Sequence, residues 1–139
     1  MSVEAAETQA IDRTRDEHVA ALNRGDADGW AAAFTDDGVQ MPPNFPANVG
    51  RDNIQAWCAA FLGAFRIEFS LDPEEVRVAE DEWAFERGTY EITLTPKAGG
   101  DPMQDAGKYI TVYERLSDAS WAMARDIWNS SNPLPGMPG

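Results

Sequence analysis

The chain has 139 residues, 43% of them hydrophobic, and a net charge of −13 at pH 7 from 24 acidic and 11 basic side chains. This length and hydrophobic content suit one globular domain with a single core. A surface this acidic repels nucleic-acid phosphates and anionic lipid headgroups, so we expect neither nucleic acid nor a membrane among the partners.

Two residue types that often build sites occur only once. Cys58 is the sole cysteine and His18 the sole histidine, so an intramolecular disulfide is excluded and a zinc site is not expected. The sequence also lacks a Gly-rich phosphate loop, and we expect no cofactor. Residues 1–4 lack the basic and apolar regions of a signal peptide, and no apolar run approaches a membrane span, which predicts a cytoplasmic protein.

The N-terminal half predicts helices. The first covers about residues 4–24, and its inward face is formed by residues at helical spacing, namely Ile11, Thr14, His18, Ala21 and Leu22. Gly25 suits the end of this helix, and Asp26 suits the start of a second that runs to Phe34. Residues 35–38 predict a turn, and three prolines between positions 42 and 46 predict an irregular loop. A third, strongly amphipathic helix covers about residues 52–65.

The C-terminal half predicts β structure. Alternating residues indicate strands over 67–78, with a bulge or edge at Pro73, then over 83–95, 109–116 and 121–129, with a loop over 96–107. Short connections between successive strands are typical of an antiparallel meander. Helices followed by a meander predict an α+β fold. We expect residues 1–132 to form a single domain and residues 133–139 a flexible tail rich in Pro and Gly.

The last two strands are apolar on both faces. Ile110 and Val112 alternate with Tyr109, Thr111 and Tyr113, so one face can cover the helices while the other stays uncovered. A second copy of the chain is the simplest cover, and we expect a homodimer formed through the sheet.

Four segments resemble known proteins. Residues 18–29 resemble the junction of the first two helices of ketosteroid isomerases, and residues 75–85 resemble their central hairpin. The segments around residues 107–109 and 125–129 are similar to those of SnoaL-like proteins. The resemblance extends over nearly the whole chain, from about residue 4 to residue 132, and the order and spacing of these segments resemble the nuclear transport factor 2-like superfamily. The resemblance implies a cone-shaped fold with three N-terminal helices on a curved, mainly antiparallel sheet and a deep pocket.

The catalytic residue types of ketosteroid isomerases are not found at the matching positions of this sequence. The oxyanion-binding tyrosine of those enzymes falls on His18, their aspartate base near Met41, and their protonated aspartic acid on Thr111. None of the three residue types matches. The usual ketosteroid isomerase mechanism is therefore not expected.

Three ionisable residues are candidates for catalysis. His18 lies on the apolar face of the first helix, where it is either a donor to an oxyanion or a core histidine bonded to a backbone carbonyl. Asp126 lies between Ala124 and Trp128 in the last strand, where an apolar pocket would raise its pKa toward that of a general base, unless an arginine pairs with it. SnoaL-like cyclases also place an acid–base aspartate late in the sheet. Arg87 lies on the same face of its strand as Trp83 and Phe85. If this is the inner face, Arg87 points inward and could bind an oxyanion; otherwise it lies at the solvent rim.

Aromatic and hydroxyl side chains place a pocket beside these candidates. The expected ligand contacts are Trp30, Met41, Asn44, Phe45, Trp57, Phe61, Tyr109, Thr111, Tyr113 and Trp128. The sequence thus predicts a protein with a pocket for a small hydrophobic molecule. We expect a cofactor-independent acid–base enzyme of the isomerase, cyclase or dehydratase type acting on a small apolar carbonyl compound, or alternatively a non-catalytic ligand-binding or dimerisation module.

Overall fold

The computed structural model describes residues 3–137. Met1 and Ser2, on which the expected absence of a signal peptide partly rests, and Pro138 and Gly139 of the predicted tail lie outside the described residues. None of the helices within this range is long and apolar enough to cross a membrane.

Three helices occupy the N-terminal half: α1 (Val3–Asn23), α2 (Ala27–Ala32) and α3 (Arg51–Ala64). Gly25 separates α1 from α2 with φ of 75°, a left-handed conformation that glycine adopts without steric cost. The Asp26 side chain then caps α2 by accepting a hydrogen bond of 2.9 Å from the backbone N–H of Gly29. The predicted end of α1 before Gly25 and the predicted start of α2 after Asp26 are confirmed. Helix α2 ends two residues earlier than expected, because Phe34 begins a strand.

Six strands form one curved, open sheet: β1 (Phe34–Met41), β2 (Asn48–Val49), β3 (Phe65–Ala79), β4 (Trp83–Pro96), β5 (Met103–Arg115) and β6 (Trp121–Ser130). Their order is β2-β1-β6-β5-β4-β3. All neighbours are antiparallel except β1 and β6, which are parallel. The helices pack on this sheet, so the predicted α+β, nuclear transport factor 2-like fold is confirmed.

Two predicted loops are shorter than expected or absent. Residues 35–38 belong to β1, where the pairing with β6 shifts between Phe34 and Val39, so the polar residues occupy an irregularity in the strand and make no turn. The predicted loop over 96–107 is confined to 97–102, because Met103 pairs with Leu94 and already belongs to β5. The predicted irregularity at Pro73 is confirmed as a register shift between β3 and β4.

Gly107 allows an unusually close approach between β4, β5 and β6. A Cβ atom at this position would lie 2.1 Å from the carbonyl oxygen of Asn129 and 2.7 Å from the ring of Tyr90. Only glycine fits there without displacing backbone. The Tyr90 ring can therefore lie flat against β5 on the inner face of the sheet.

Side-chain hydrogen bonds attach α1 to β6 and to β3, which are separated in the sheet by β5 and β4. The Thr14 hydroxyl donates to the carbonyl oxygen of Trp121 in β6 over 2.6 Å. At the other end, the Asn23 amide donates to the carbonyl oxygen of Phe69 in β3 over 2.8 Å and accepts from its N–H over 2.7 Å. The core between helices and sheet is centred on fully buried apolar residues such as Ile11, Phe34 and Ile54.

Candidate functional site

A cavity of about 190 Å³ lies between the helices and the inner face of the sheet. Its wall is built from all three helices, the segment after β1, and strands β3 to β6, and most of the side chains in it are apolar. The predicted ligand contacts that do line it are Trp30, Phe45, Trp57, Phe61, Tyr109, Thr111, Tyr113 and Trp128. Met41 and Asn44 lie outside this lining. Pro42 and Pro43 take their place, because Pro42 is buried toward the cavity and Asn44 is exposed on the loop that follows.

Asp126 presents a buried carboxyl group to this cavity from β6. The Thr111 hydroxyl donates to its Oδ1 over 2.8 Å, and Oδ2 has no hydrogen-bond partner among residues 3–137. Burial raises the pKa of Asp126 from 3.8 to about 7, with the hydrogen bond from Thr111 opposing this rise and the charge of Glu86 adding to it. The group can therefore both accept and release a proton near neutral pH.

Asp126 belongs to a polar row that crosses the inner face of the sheet. In the strand register, Gln40 of β1 pairs with Asp126, Asp126 with Thr111 of β5, and Thr111 with Glu86 of β4. All four side chains are buried. Paired residues project from the same face of a sheet, so the row lies on the inner face, and Asp126 and Thr111 are the two members that line the mostly apolar cavity.

A second hydrogen-bonded group adjoins this row. Arg15 of α1 donates to Oε1 of Glu86 over 2.9 Å, and the Tyr109 hydroxyl donates to Oε2 of Glu86 over 2.6 Å. Arg15 also donates to Asp12 over 2.9 Å. The Glu86 side chain is fully buried, so the hydrogen bonds from Arg15 and Tyr109 replace the hydration that its carboxylate would have in water.

Sequence reasoning missed Arg15 and Glu86. Arg15 stands four residues after Ile11 and three before His18, which is the spacing that defines the inward face of α1. Glu86 stands two residues after Ala84 and therefore alternates with the same face of β4. Both signals were present in the pattern, but a charged residue is expected outside until its partner is known.

His18 lines the same cavity as Asp126. Its Nδ1 lies 3.0 Å from the carbonyl oxygen of Trp30, and its ring stacks on the Trp30 ring with 3.4 Å between centroids. Burial lowers the pKa of His18 to about 3, so the imidazole is neutral. Because a carbonyl oxygen only accepts, Nδ1 carries the proton and Nε2 is left as an acceptor. The expected donation from His18 to an oxyanion does not fit this tautomer.

Tyr113 supplies the donor that His18 cannot. It is almost fully buried in the cavity wall, and its hydroxyl has no hydrogen-bond partner within residues 3–137. Burial, together with the nearby carboxylates Glu86 and Asp126, holds the pKa of Tyr113 well above its usual value. The hydroxyl therefore keeps its proton and can donate it in a hydrogen bond.

Arg87 does not line the cavity, and of the two orientations that the sequence left open, the structure shows the outward one. Its side chain is 53% exposed on the outer face of the sheet and pairs with Glu74 and Glu75, each over 2.9 Å. The parity is set by Glu86, which is buried on the inner face next to it, so Arg87 and its alternate neighbour Phe85 face outward. Within residues 3–137, no group of three or more His, Cys, Asp or Glu side chains is placed to hold a metal ion.

Comparison with known proteins identifies the family. The profile of the SnoaL-like domain matches residues 16–122, which is more than half of the chain. A ketosteroid isomerase-like protein from Erwinia carotovora atroseptica is 29% identical with a TM-score of 0.82, over 90% of this chain and 96% of that one. A nuclear transport factor 2-like superfamily protein from Salmonella enterica serovar Typhimurium is 13% identical, with a TM-score of 0.84 over 99% of each chain.

A third similar structure is a putative scytalone dehydratase from Novosphingobium aromaticivorans. It is 17% identical with a TM-score of 0.85, over 93% of this chain and 87% of that one. No functionally curated protein matches the sequence significantly. The family match and the shared fold confirm the resemblance found in the sequence: the chain belongs to the SnoaL-like domain family and has a nuclear transport factor 2-like fold.

Proposed function

We propose that this protein is a cofactor-independent acid–base enzyme, of the isomerase, cyclase or dehydratase type, that acts on a small apolar carbonyl compound. The observation that carries the proposal is Asp126, a carboxyl group with a pKa raised to about 7 whose Oδ2 is unpaired in an apolar cavity. A group with this pKa is matched to proton transfer at neutral pH. Two similar structures, of a ketosteroid isomerase-like protein and of a putative scytalone dehydratase, agree with this class of chemistry.

The proposed step is a proton transfer at carbon. Asp126 takes a proton from the carbon next to the substrate carbonyl, and the electron pair of that C–H bond moves onto the carbonyl oxygen. Tyr113 stabilises the resulting enolate by donating a hydrogen bond to that oxygen. Asp126 then returns the proton to a different carbon, so that an isomerisation balances without any other reactant.

The test is turnover of a panel of enones and lactones by the wild type, Asp126→Asn and Tyr113→Phe across pH 5 to 9. We expect wild-type activity to rise with pH to a plateau with a midpoint near 7 and to fall by about 10²- to 10⁴-fold in Asp126→Asn. Asp101→Asn, in the exposed loop before β5, is the matched control for loss of one carboxylate. Unchanged turnover in Asp126→Asn refutes the proposal. Tight binding without any turnover by the wild type favours the non-catalytic ligand-binding module instead.

Thr111→Val provides a second, graded readout. The Thr111 hydroxyl lowers the pKa of Asp126 by donating to the ionised carboxylate. Its removal is therefore expected to move the midpoint of the activity profile to higher pH while the residues that contact the substrate stay in place. A midpoint that stays where it is in the wild type argues that another group controls the profile.

We also propose that two copies associate through the outer face of the sheet. Large apolar side chains are exposed there on three adjacent strands, namely Trp83, Phe85, Ile110 and Ile127. An exposed apolar surface of this kind is typical of protein interfaces. Sedimentation velocity is expected to show a dimer for the wild type and a monomer for Ile110→Lys, and a monomeric wild type would refute this association.

A further inference from the structure

We infer that the cavity selects a neutral ring compound bearing a hydroxyl group, and that this hydroxyl donates its hydrogen bond to Nε2 of His18. The inference deepens the proposed function and rests on it only in taking the cavity as the ligand site. It concerns binding, so it can be tested without turnover.

The acceptor is defined by the fixed orientation of the imidazole. The Nδ1–H bond to the Trp30 carbonyl, together with the stacked Trp30 ring and the edge contact with Phe34 at 5.6 Å between centroids, holds the His18 ring from three sides. The second nitrogen, Nε2, has no partner in the described part of the chain. A buried acceptor left unpaired costs about 1–3 kcal/mol, so a ligand that donates to it gains relative to one that does not.

The other polar groups of the cavity wall are mostly engaged. Thr111 donates to Asp126 and Tyr109 donates to Glu86. Asp105 accepts hydrogen bonds from Tyr90 over 3.2 Å and from Ser130 over 2.6 Å. Among the described lining residues, this leaves His18 as a neutral acceptor and Tyr113 as a free hydroxyl donor beside the proton-transferring carboxyl group; the indole N–H of Trp30 is also unpaired, but it is buried. A ligand that matches them carries a hydroxyl for the first and a carbonyl for the second.

The charges around the cavity favour a neutral ligand. Arg15 is the sole arginine or lysine in the lining, and it is already bonded to Glu86 and Asp12. An anionic ligand would therefore face Asp126 and Asp105 without a free cation to compensate it. An ammonium group would be attracted by Asp126 and Asp105, but it would lose its hydration in a mostly apolar wall that also contains the Arg15 guanidinium, so we expect it to bind more weakly than a neutral ligand.

The apolar part of the wall is flat and aromatic. Trp57 stacks on Phe61 with 5.3 Å between centroids, and meets the edges of Phe45 and Trp128 at 6.3 Å and 6.1 Å. Trp30 forms the facing part of the wall through its contact with His18. Planar rings make favourable offset or edge contacts with such surfaces, which is why we assign a ring compound and not an open chain.

The first experiment uses the unmodified protein. Because His18 is the only histidine, ¹⁵N-histidine labelling gives two ring-nitrogen resonances that need no further assignment to a residue. We expect one protonated nitrogen, Nδ1, and one unprotonated nitrogen, Nε2, from pH 5 to 8. On addition of 2-naphthol the Nε2 resonance should move toward the hydrogen-bonded position, whereas 2-methylnaphthalene should leave it in place. A protonated Nε2, or no difference between the two probes, overturns the inference.

The second experiment measures dissociation constants of 2-naphthol and 2-methylnaphthalene for the wild type and His18→Phe by tryptophan fluorescence. Phenylalanine keeps a flat ring on Trp30 and removes the acceptor. The difference in hydrophobicity between the probes cancels when the ratio of the two constants is compared between the wild type and the variant. We expect His18→Phe to shift that ratio by about three- to tenfold against the naphthol, the value of one neutral hydrogen bond. An unchanged ratio overturns the inference. Should this variant fail to fold, the labelling experiment on the wild type decides alone.

Two charged probes complete the test. We expect 2-naphthoate and 2-naphthylmethylammonium to bind at least tenfold more weakly than 2-naphthol at pH 7.5. Tighter binding of either charged probe, or the absence of binding by the naphthol, overturns the inference. The proposed function fails separately, if Asp126→Asn retains full turnover on a substrate that the wild type converts.

Discussion

Replacing Asp126 by asparagine is expected to make the protein more stable as well as inactive. Asparagine keeps the oxygen that accepts from Thr111 and removes the buried charge. The folded protein holds the proton of Asp126 up to about pH 7, whereas the unfolded chain releases it near the ordinary pKa of 3.8. The wild type therefore takes up a proton on folding in this window, and the contribution of Asp126 to stability becomes less favourable as the pH rises through it.

The magnitude follows from the two pKa values. Each pH unit between 3.8 and about 7 contributes about 1.4 kcal/mol, so the full penalty reaches about 4 kcal/mol above pH 7. At pH 5 only the first part is present, about 2 kcal/mol. We therefore expect the stability gain of Asp126→Asn over the wild type to increase by roughly 2–3 kcal/mol between pH 5 and pH 8.

The assay is urea unfolding of both proteins at pH 5, 6, 7 and 8, followed by tryptophan fluorescence. Contributions from all other titrating groups are shared and cancel in the difference. Asp101→Asn controls for removal of one negative charge from a chain of net charge −13. A difference between wild type and Asp126→Asn that is constant with pH, or a less stable variant at pH 8, would show that Asp126 is ionised and compensated in the folded state.

Three further changes test the packing around the site. Arg15→Met leaves the Glu86 carboxylate buried without its cation and should cost about 3 kcal/mol in urea unfolding, most of which the added change Glu86→Gln recovers; a double variant no more stable than Arg15→Met contradicts this. Gly107→Ala places a methyl group 2.1 Å from the Asn129 carbonyl and should cost at least about 2 kcal/mol by thermal unfolding, whereas an unchanged melting temperature would contradict the close approach. Burial raises the pKa of the Cys58 thiol to about 12, so a disulfide reagent at pH 8 should label it only as urea unfolds the chain, and rapid labelling of the native protein would contradict its burial.

Sequence patterns predicted a helix or strand correctly where one hydrophobic period, helical or alternating, runs through the whole element. Gly25 and Asp26 marked a helix boundary because left-handed φ and side-chain capping are local requirements. The segment over residues 35–38 was wrong because acidic and glycine residues are typical of turns, while here pairing with β6 keeps them in a strand. That pairing joins residues about ninety positions apart, and no local pattern contains it.

The candidate site shows the same division. Asp126 and His18 were found because a polar residue on an apolar face is conspicuous, and both line one cavity. The orientation of Arg87 stayed open because alternation along β4 gives two faces without saying which is inner, and its aromatic neighbours Trp83 and Phe85 lie with it on the outer face. For His18 the sequence left open an oxyanion donor or a core histidine bonded to a backbone carbonyl, and the structure shows the second of these contacts, to the carbonyl of Trp30. Such partners are fixed by tertiary structure.

The two attachments of α1 have a consequence for how molecules exchange with the cavity. With Thr14 held by β6 and Asn23 held by β3, the helix that carries His18 cannot swing away without breaking bonds at both ends. We therefore expect the gate to lie in the segment over residues 42–47, whose exposed Phe45 stands at the cavity wall. Since this segment contains three prolines, its motion is restricted to a few hinge positions, and we expect the rate of ligand release to respond to substitutions there and not in α1.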